Sequence, residues 1–388
     1  MKKYLFTSES VAIGHSDKVA DQIADAVLDS IIKDDKQARV ACEVFVSRGY
    51  VIVGGEITTK TWVDINEIVR KVILDIGYDK PEYGFDGNTV AVLNTISKQS
   101  PDIAQGVRRT GSKKQGAGDQ GSMVGYACNE TPELMPLPIM MAHELMKKLT
   151  QLRKNKILVY LRPDGKSQVT FEYEDGKPKR LNNVVIAAQH DPGVSLEKIK
   201  KDIIDKVVKP VCNGFLDKKT KFFINNTGKF IIGGPIADTG MTGRKTVVDS
   251  YGIGVPVGGG SFSGKDPTKV DRSGAYMARY VAKNIVASGL AEKCLVRLAY
   301  VIGGYEPIEV SIETFSTGKI AEEKIAKAVS RVFDLTPGGI IKELDLLKPI
   351  YRKTSVYGHF GQKGFAWEKT DRVGKLLKAL SGKRNNFH

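Results

Sequence analysis

The sequence predicts an α+β protein built from more than one layered unit, and three observations carry that prediction. An amphipathic helical stretch opens at Ser16, two β-rich runs follow it with a short turn between them, and comparable β-rich runs around glycine return twice farther along. The chain has 388 residues, more than one hydrophobic core usually organises, so two or three domains are expected.

Ser16, followed by Asp17, reads as the N-cap of SDKVADQIADAVLDSIIKDD. Val19, Ile23, Val27 and Ile31 recur every four residues as its buried stripe. Asp17, Asp21, Asp25 and Asp29 form an acidic stripe on another face, expected mostly to meet water. ARVACEVFV near 38–46 and YVIVGGEIT near 50–58 read as a hairpin. The second amphipathic stretch, VDINEIVRKVILDIG, ends at Gly77, a residue suited to the position just past a helix. KFFINNTGKFIIGGPIA at 221–237 and RLAYVIGGYEPIEVSIETF at 297–315 each read as a pair of β-rich runs, giving three related units. The shared fragments VIVGGEI, FIIGGPI and YVIGGYE are too short to establish duplication by themselves. Between about 100 and 122, SPDIAQGVRRTGSKKQGAGDQGS has little to bury and reads as a loop, either an active-site lid or a linker.

Composition narrows the class. Hydrophobic residues at 41% and charged residues at 27% describe a globular protein and exclude disorder. Lys and Arg number 59 against 44 Asp and Glu, a formal charge of +15, which suits nucleotide, nucleic acid or anionic lipid, or simply solvated basic faces. Cys42, Cys128, Cys212 and Cys294 form no C-x-x-C pair, so buried reduced thiols are expected rather than zinc or disulfides. MKKYLFTSES turns polar after a few residues and no apolar run is long enough to cross a bilayer, which fits a cytoplasmic enzyme.

The densest chemistry lies at 238–273, where DTGMTGRK leads to GGGSFSGKDPTKVDRS. Glycine-rich backbone lets N–H groups approach phosphate, and Arg244, Lys245, Lys265, Lys269 and Arg272 would neutralise its oxygens; the competing reading is a surface loop with incidental lysines. Gly259 to Lys265 matches G-x-x-x-x-G-K, but Asp266 stands where a P-loop needs Ser or Thr, and Pro267 follows, so P-loop chemistry is excluded. GHSDK at 14–18 puts an imidazole, a carboxylate and an amine at a helix start. Asp17 there reads either as a magnesium ligand beside phosphate or as a plain helix-start acid. His143, His190, His359 and His388 show no metal-ligand spacing, and no nucleophile motif occurs. Cations, scattered carboxylates and one His suit a reaction limited by charge on a phosphate leaving group.

These segments resemble the S-adenosylmethionine synthetase family over essentially the entire chain. The resemblance is carried by LFTSESVAIGHSDKVADQI, VGGEITT, SKQSPDI, GAGDQG, RPDGKSQVTFEY, TKFFINNTGKFIIGGP, DTGMTGRK and GGGSFSGKDPTKVDRS. It implies three similar α+β domains around a pseudo-threefold axis, here about 1–105, 123–232 and 233–388, with 106–122 as a mobile active-site loop. It also implies homodimers with shared active sites, paired as a dimer of dimers, with ATP and L-methionine as substrates and neither nucleic acid nor membrane as partner. Two Mg2+ per site and K+ are the implied cofactors.

Carried over by position, His15 lies near the ribose and the departing oxygen, Asp17 and Asp271 bind magnesium, and Glu43 serves potassium. Lys166, Arg244, Lys245 and Lys265 contact the triphosphate, and Asp164, Lys229, Phe230, Asp238 and Ser261 complete the ATP site. Glu56, Gln99, Asp238 and Lys269 hold methionine, and Asp119 is a further catalytic acid. Ser16, Ile13, Gly165 and Lys229 depart from the family's usual Pro, Glu, Ala and Arg. Ser16 remains suited to capping, whereas Lys229 lacks Arg's bidentate fork.

The chemistry so implied is attack of methionine sulfur on ATP C5′, which needs no general base, followed by hydrolysis of the triphosphate. A basic RNA-binding protein is the rival suggested by charge, but no RNP-type aromatic signature accompanies it. Another ATP-dependent transferase or ligase is the third reading, and the broken P-loop match speaks against it.

Overall fold

A computed structural model of the chain describes residues 2–98 and 115–381. Its frame is three sheets, each backed by a long helix. β2 (Arg39–Ser47) and β3 (Tyr50–Thr58) form an antiparallel hairpin, and α1 (Ser16–Asp34) packs across β2. The helix α2 (Ile65–Ile76) then leads to β4 (Ala91–Ser97), parallel beside β3. The plan recurs. β6 (Leu161–Glu174) and β7 (Lys177–His190) form a second hairpin under α3 (Leu137–Lys154), and the helix Leu196–Ile203 leads to β8 (Lys221–Ile224), parallel beside β7. β10 (Lys293–Tyr300) and β11 (Glu309–Glu313) form a third, backed by α4 (Val270–Ala287) and followed by the helix Glu322–Val332.

The strand before each backing helix joins the sheet of a different unit. β1 (Lys3–Val11), ahead of α1, pairs with β6; β5 (Gly121–Cys128), ahead of α3, pairs with β10; β9 (Gly240–Met241), ahead of α4, pairs with β2. The exchange is cyclic, so three α+β layers surround a pseudo-threefold axis and the turn after each exchanged strand is carried toward a neighbour. β9 is the consequential case, because pairing with β2 sets the chain from 241 onward beside α1.

Several sequence expectations map directly. Val19, Ile23, Val27 and Ile31 are fully buried, Gly77 closes α2 with φ 108°, and all four cysteines are buried free thiols. Two need correction. Ser16 is the first helical residue, and the N-cap is His15, whose Nδ1 accepts from the Asp17 N–H. The stretch 221–237 yields only one strand, Lys221–Ile224. Asn225 turns to φ 42° and its side chain bonds both N–H and C=O of Ala188, which ends the ladder and frees the following residues to line the site.

Candidate active site

The turn between β1 and α1 sets His15 and Asp17. Tyr78 holds it from beneath, its hydroxyl donating to Gly14 O at 2.6 Å, and Ala12 N donates to Gly165 O at 2.8 Å. His15 is buried, and burial, then Lys245 and Lys166, push its imidazole down to about 3. The ring is therefore neutral, and because Nδ1 accepts from Asp17 N at 3.2 Å its proton resides on Nε2. Asp17 is also buried; its Oδ1 accepts Met241 N at 3.1 Å and its Oδ2 accepts Lys245 Nζ at 2.6 Å. Arg244 Nε stands 3.7 Å from Oδ1 with nearly half of its side chain open to solvent.

The acidic stripe of α1 does not face water. Each member grips a later segment of chain at a successive turn of the helix. Below Asp17, Asp21 accepts Gly243 N at 2.9 Å and the Lys18 ammonium at 2.9 Å. Asp25 accepts Gly264 N at 2.8 Å and both terminal nitrogens of Arg272 at 2.7 and 2.9 Å. Asp29 accepts Tyr351 N at 2.9 Å and Arg352 N at 2.8 Å, and burial lifts it to about 6. The expectation of solvated acids fails because the i, i+4 spacing that makes a polar face also makes a ladder of acceptors for unpaired N–H groups in glycine-rich loops.

Those loops carry the expected cations. A Cβ on Gly243 would lie 2.4 Å from that of Ser261, so the DTGMTGRK and GGGSFSGKD loops lie in van der Waals contact. Lys265 Nζ lies 2.6 Å from Asp271 Oδ2, an arrangement matching Lys245 on Asp17. Two of the five expected phosphate cations are otherwise engaged. Arg272 is wholly buried, forked onto Asp25 and stacked 4.3 Å from the Tyr351 ring centre, so it is a structural cation rather than part of a phosphate cradle. Lys269 is buried with Nζ 2.6 Å from Asp266. Asp266 also accepts Val40 N at 2.7 Å and Thr268 N at 2.9 Å, so the residue that breaks the P-loop pattern is a staple between this loop and β2.

The opposite wall comes from β6, β7 and the irregular segment after β8. Lys166, exposed, pairs in register with Val11 close to His15. Asp164 is buried, accepting Gly165 N at 2.7 Å and Gly234 N at 2.8 Å, and burial raises it to about 6. Phe230 is set by His190, whose backbone donates to Phe230 O at 2.9 Å while its Nε2 accepts Phe230 N at 3.1 Å. Lys229 and Asp238 are exposed at the rim. GAGDQG reaches the site from the third sheet: Gly118 N donates to Thr268 O at 3.0 Å, and Asp119 is exposed beside it.

Glu43 and Glu56 stand apart from this cluster. They lie on the outward face of the β2–β3 hairpin, in a groove with Phe45, Ile52 and Met241, which is tied to the cation-bearing loops by the Met241 N–H on Asp17, by Val44 bonded to Thr242 and by the bridge between Ala41 and Lys265. Gln99 and most of the 106–122 loop lie outside the described residues. Asp249, His190 and Tyr78 are supporting residues that no motif singled out, while Lys18 and Arg272, read as site cations, and Asp21 and Asp25, read as solvated, are supporting residues too. The unusually regular Asp spacing on α1 was the one available signal for the acids.

Comparison with known proteins covers nearly all of this chain. Residues 3–101, 114–230 and 232–369 match the N-terminal, central and C-terminal domain models of S-adenosylmethionine synthetase. The chain is 55% identical over 381 residues to S-adenosylmethionine synthase of Treponema denticola, covering 97% of this chain and 98% of that protein.

Proposed function

The chain belongs to the S-adenosylmethionine synthetase family, and from that premise we propose how its residues join ATP to L-methionine with loss of the triphosphate arm. The observation that carries the proposal is the convergence of the 14–18 turn with Arg244, Lys245 and Lys265 through Asp17, Asp21 and Asp25. Methionine sulfur has a lone pair ready to attack C5′ of ATP, so no general base is required, and none of the buried His residues is placed as one.

The barrier lies in charge gathering on the departing triphosphate. Lys166, Arg244, Lys245 and Lys265 supply fixed positive charge for that tail. Neutral His15, with its proton on Nε2, donates to the bridging oxygen as it leaves C5′; its depressed basicity keeps it a donor without drawing a proton from solvent. Asp164, Lys229, Phe230, Asp238 and Ser261 seat the nucleotide. Glu56, Gln99, Asp238 and Lys269 hold methionine, with Asp119 favouring the nascent sulfonium. The same cations then hold triphosphate for hydrolysis to diphosphate and phosphate.

Metal-dependent catalysis accompanies the family, and Mg2+ and K+ are our assignment. Among the described residues no three His, Cys, Asp or Glu side chains converge as a cage. Mg2+ commonly takes one or two carboxylates plus water and phosphate oxygens. Asp17 and Asp271 would hold it, each already facing an ammonium. Bound there, Mg2+ would neutralise triphosphate charge. Glu43 offers K+ one carboxylate on the outward sheet face. A second copy of the chain laid on that face would cover Phe45, Ile52 and Met241 and complete the groove holding Glu43 and Glu56, which supports a homodimer with shared sites, further paired as a dimer of dimers. Among the described residues no helix is long and apolar enough to cross a membrane.

Purified protein given ATP, methionine, Mg2+ and K+ should form the sulfonium product by mass spectrometry, with omission of each component testing its role. Lys245→Met or Asp271→Asn should cut turnover at least about a hundredfold without unfolding the protein. Methionine-independent release of ADP or AMP would overturn the reading.

A further inference from the structure

Lys18 has no part in the chemistry above, yet it is one of the most deeply buried charges in the molecule, 1% exposed on α1. Its Nζ donates to Asp21 Oδ2 at 2.9 Å and to Asp249 Oδ1. Asp21 in turn accepts Gly243 N, the residue before Arg244, at 2.9 Å. Asp249 ends the short helix Thr246–Asp249 that starts directly after Lys245, and its N–H donates back to Lys245 O at 2.8 Å. The far side of Asp249 is fixed too, its carbonyl accepting His359 N at 2.8 Å.

The contacts close a ring through Lys18, Asp21, Gly243, Arg244, Lys245 and Asp249. The segment 243–249 is thus clasped at both ends from one face of α1, a turn below Asp17 and its Lys245 ion pair. A cluster of this kind is poorly explained by stability. Desolvating an ammonium and two carboxylates offsets most of what their attraction returns, and apolar side chains of similar size often serve a core as well or better. Its better-attested use is to fix one register between elements that could otherwise slide.

We propose that Lys18, with Asp21 and Asp249, is a positioning residue for adenosyl transfer, holding Arg244 and Lys245 in register with His15 and Asp17. The inference rests on Arg244 and Lys245 being triphosphate contacts. Lys18 itself touches no substrate. It acts by keeping two cations at the spacing that the departing tail requires, where a displacement near 1 Å is worth about a hundredfold in rate.

The test uses the full-length enzyme and the charge-balanced pair Lys18→Met/Asp249→Asn, with Asp21→Asn as an isosteric second variant should the pair fail to fold. Circular dichroism reports folding, and the readouts are kcat, KM for methionine and isothermal titration with inorganic tripolyphosphate. The pair is expected to keep the fold and its methionine KM, lose kcat by about tenfold to a hundredfold, and bind tripolyphosphate more weakly. Asp21→Asn should show the same pattern to a smaller degree. In an Arg244→Ala/Lys245→Met background the pair should cost little further tripolyphosphate affinity, because the clasp acts through those two residues. Wild-type kcat in a folded variant, or equal losses of affinity in both backgrounds, would overturn the clasp while leaving the Lys245 assignment standing. Lys245→Met alone retaining full tripolyphosphate affinity is the separate failure of that assignment, and the clasp's role fails with it.

Discussion

Asp25→Ala gives the sharpest test of the ladder on α1, because its cost can be worked from three contacts. The carboxylate has no solvent exposure and accepts Gly264 N at 2.8 Å and the two Arg272 nitrogens at 2.7 and 2.9 Å. Removing it strands a buried guanidinium, a loss of about 3–5 kcal/mol. Part of that is the unpaired Gly264 N–H, worth about 1–3 kcal/mol alone. At about 2.1 cal/mol/K per residue, cooperative unfolding of the 388 residues carries roughly 0.8 kcal/mol/K, so Tm should fall by about 4–6 °C. Unfolding of the first unit alone would make the fall larger. The companion Asp25→Ala/Arg272→Met removes both charges and should regain most of the loss, since the other hydrogen-bond partners of Arg272, the Tyr276 and Thr354 hydroxyls and the Lys265 carbonyl, are uncharged. Differential scanning calorimetry at one scan rate measures both. A fall under 1 °C for the single variant, or a double variant as unstable as the single, would refute the account of Asp25 as the counter-charge of Arg272.

Four further outcomes are expected. With its pKa near 3, His15 should contribute no limb to the kcat profile between pH 5 and 8, and its 15N spectrum should show the Nε2–H tautomer; titration near 6.5 would contradict the structure. Its folded pKa lies below the unfolded value, so its contribution is unfavourable below pH 6.5 and grows as pH falls toward 3, reaching about 2 kcal/mol at pH 5, a slope that His15→Asn should remove. Gly264→Ala should lower both Tm and kcat, since φ is +80° and the new Cβ would sit 1.9 Å from Cys42 O; an unchanged Tm would show that the loop relaxes freely. The four buried cysteines, whose thiols burial pushes well up, should stay inert to a thiol reagent until the protein unfolds, and fast labelling of the native enzyme would count against that packing.

Much of the proposed site is legible in sequence because its cations sit in short glycine-rich runs, where close backbone approach and positive charge together suit phosphate. Arg244, Lys245 and Lys265 are found that way. Arg272 shows the limit: a cation in a glycine-rich run looks alike whether it faces phosphate or a buried Asp25, and only packing separates the two. Ser16 and His15 show another: Ser suits a cap by type, yet the cap is His15, the side chain that the turn from β1 brings back to Asp17 N.

Local pattern therefore determined α1, α2, the β2–β3 hairpin, the buried stripe of α1 and the cationic, glycine-rich character of 238–273, because each depends on neighbours within a few residues. Tertiary structure alone decided what the acidic face of α1 does. The cyclic exchange of β1, β5 and β9 between sheets brings residues more than two hundred positions apart into hydrogen-bonding range. Carboxylates whose spacing implied only solvation become the acceptors for unpaired N–H groups there, since a buried glycine-rich loop must find partners away from water.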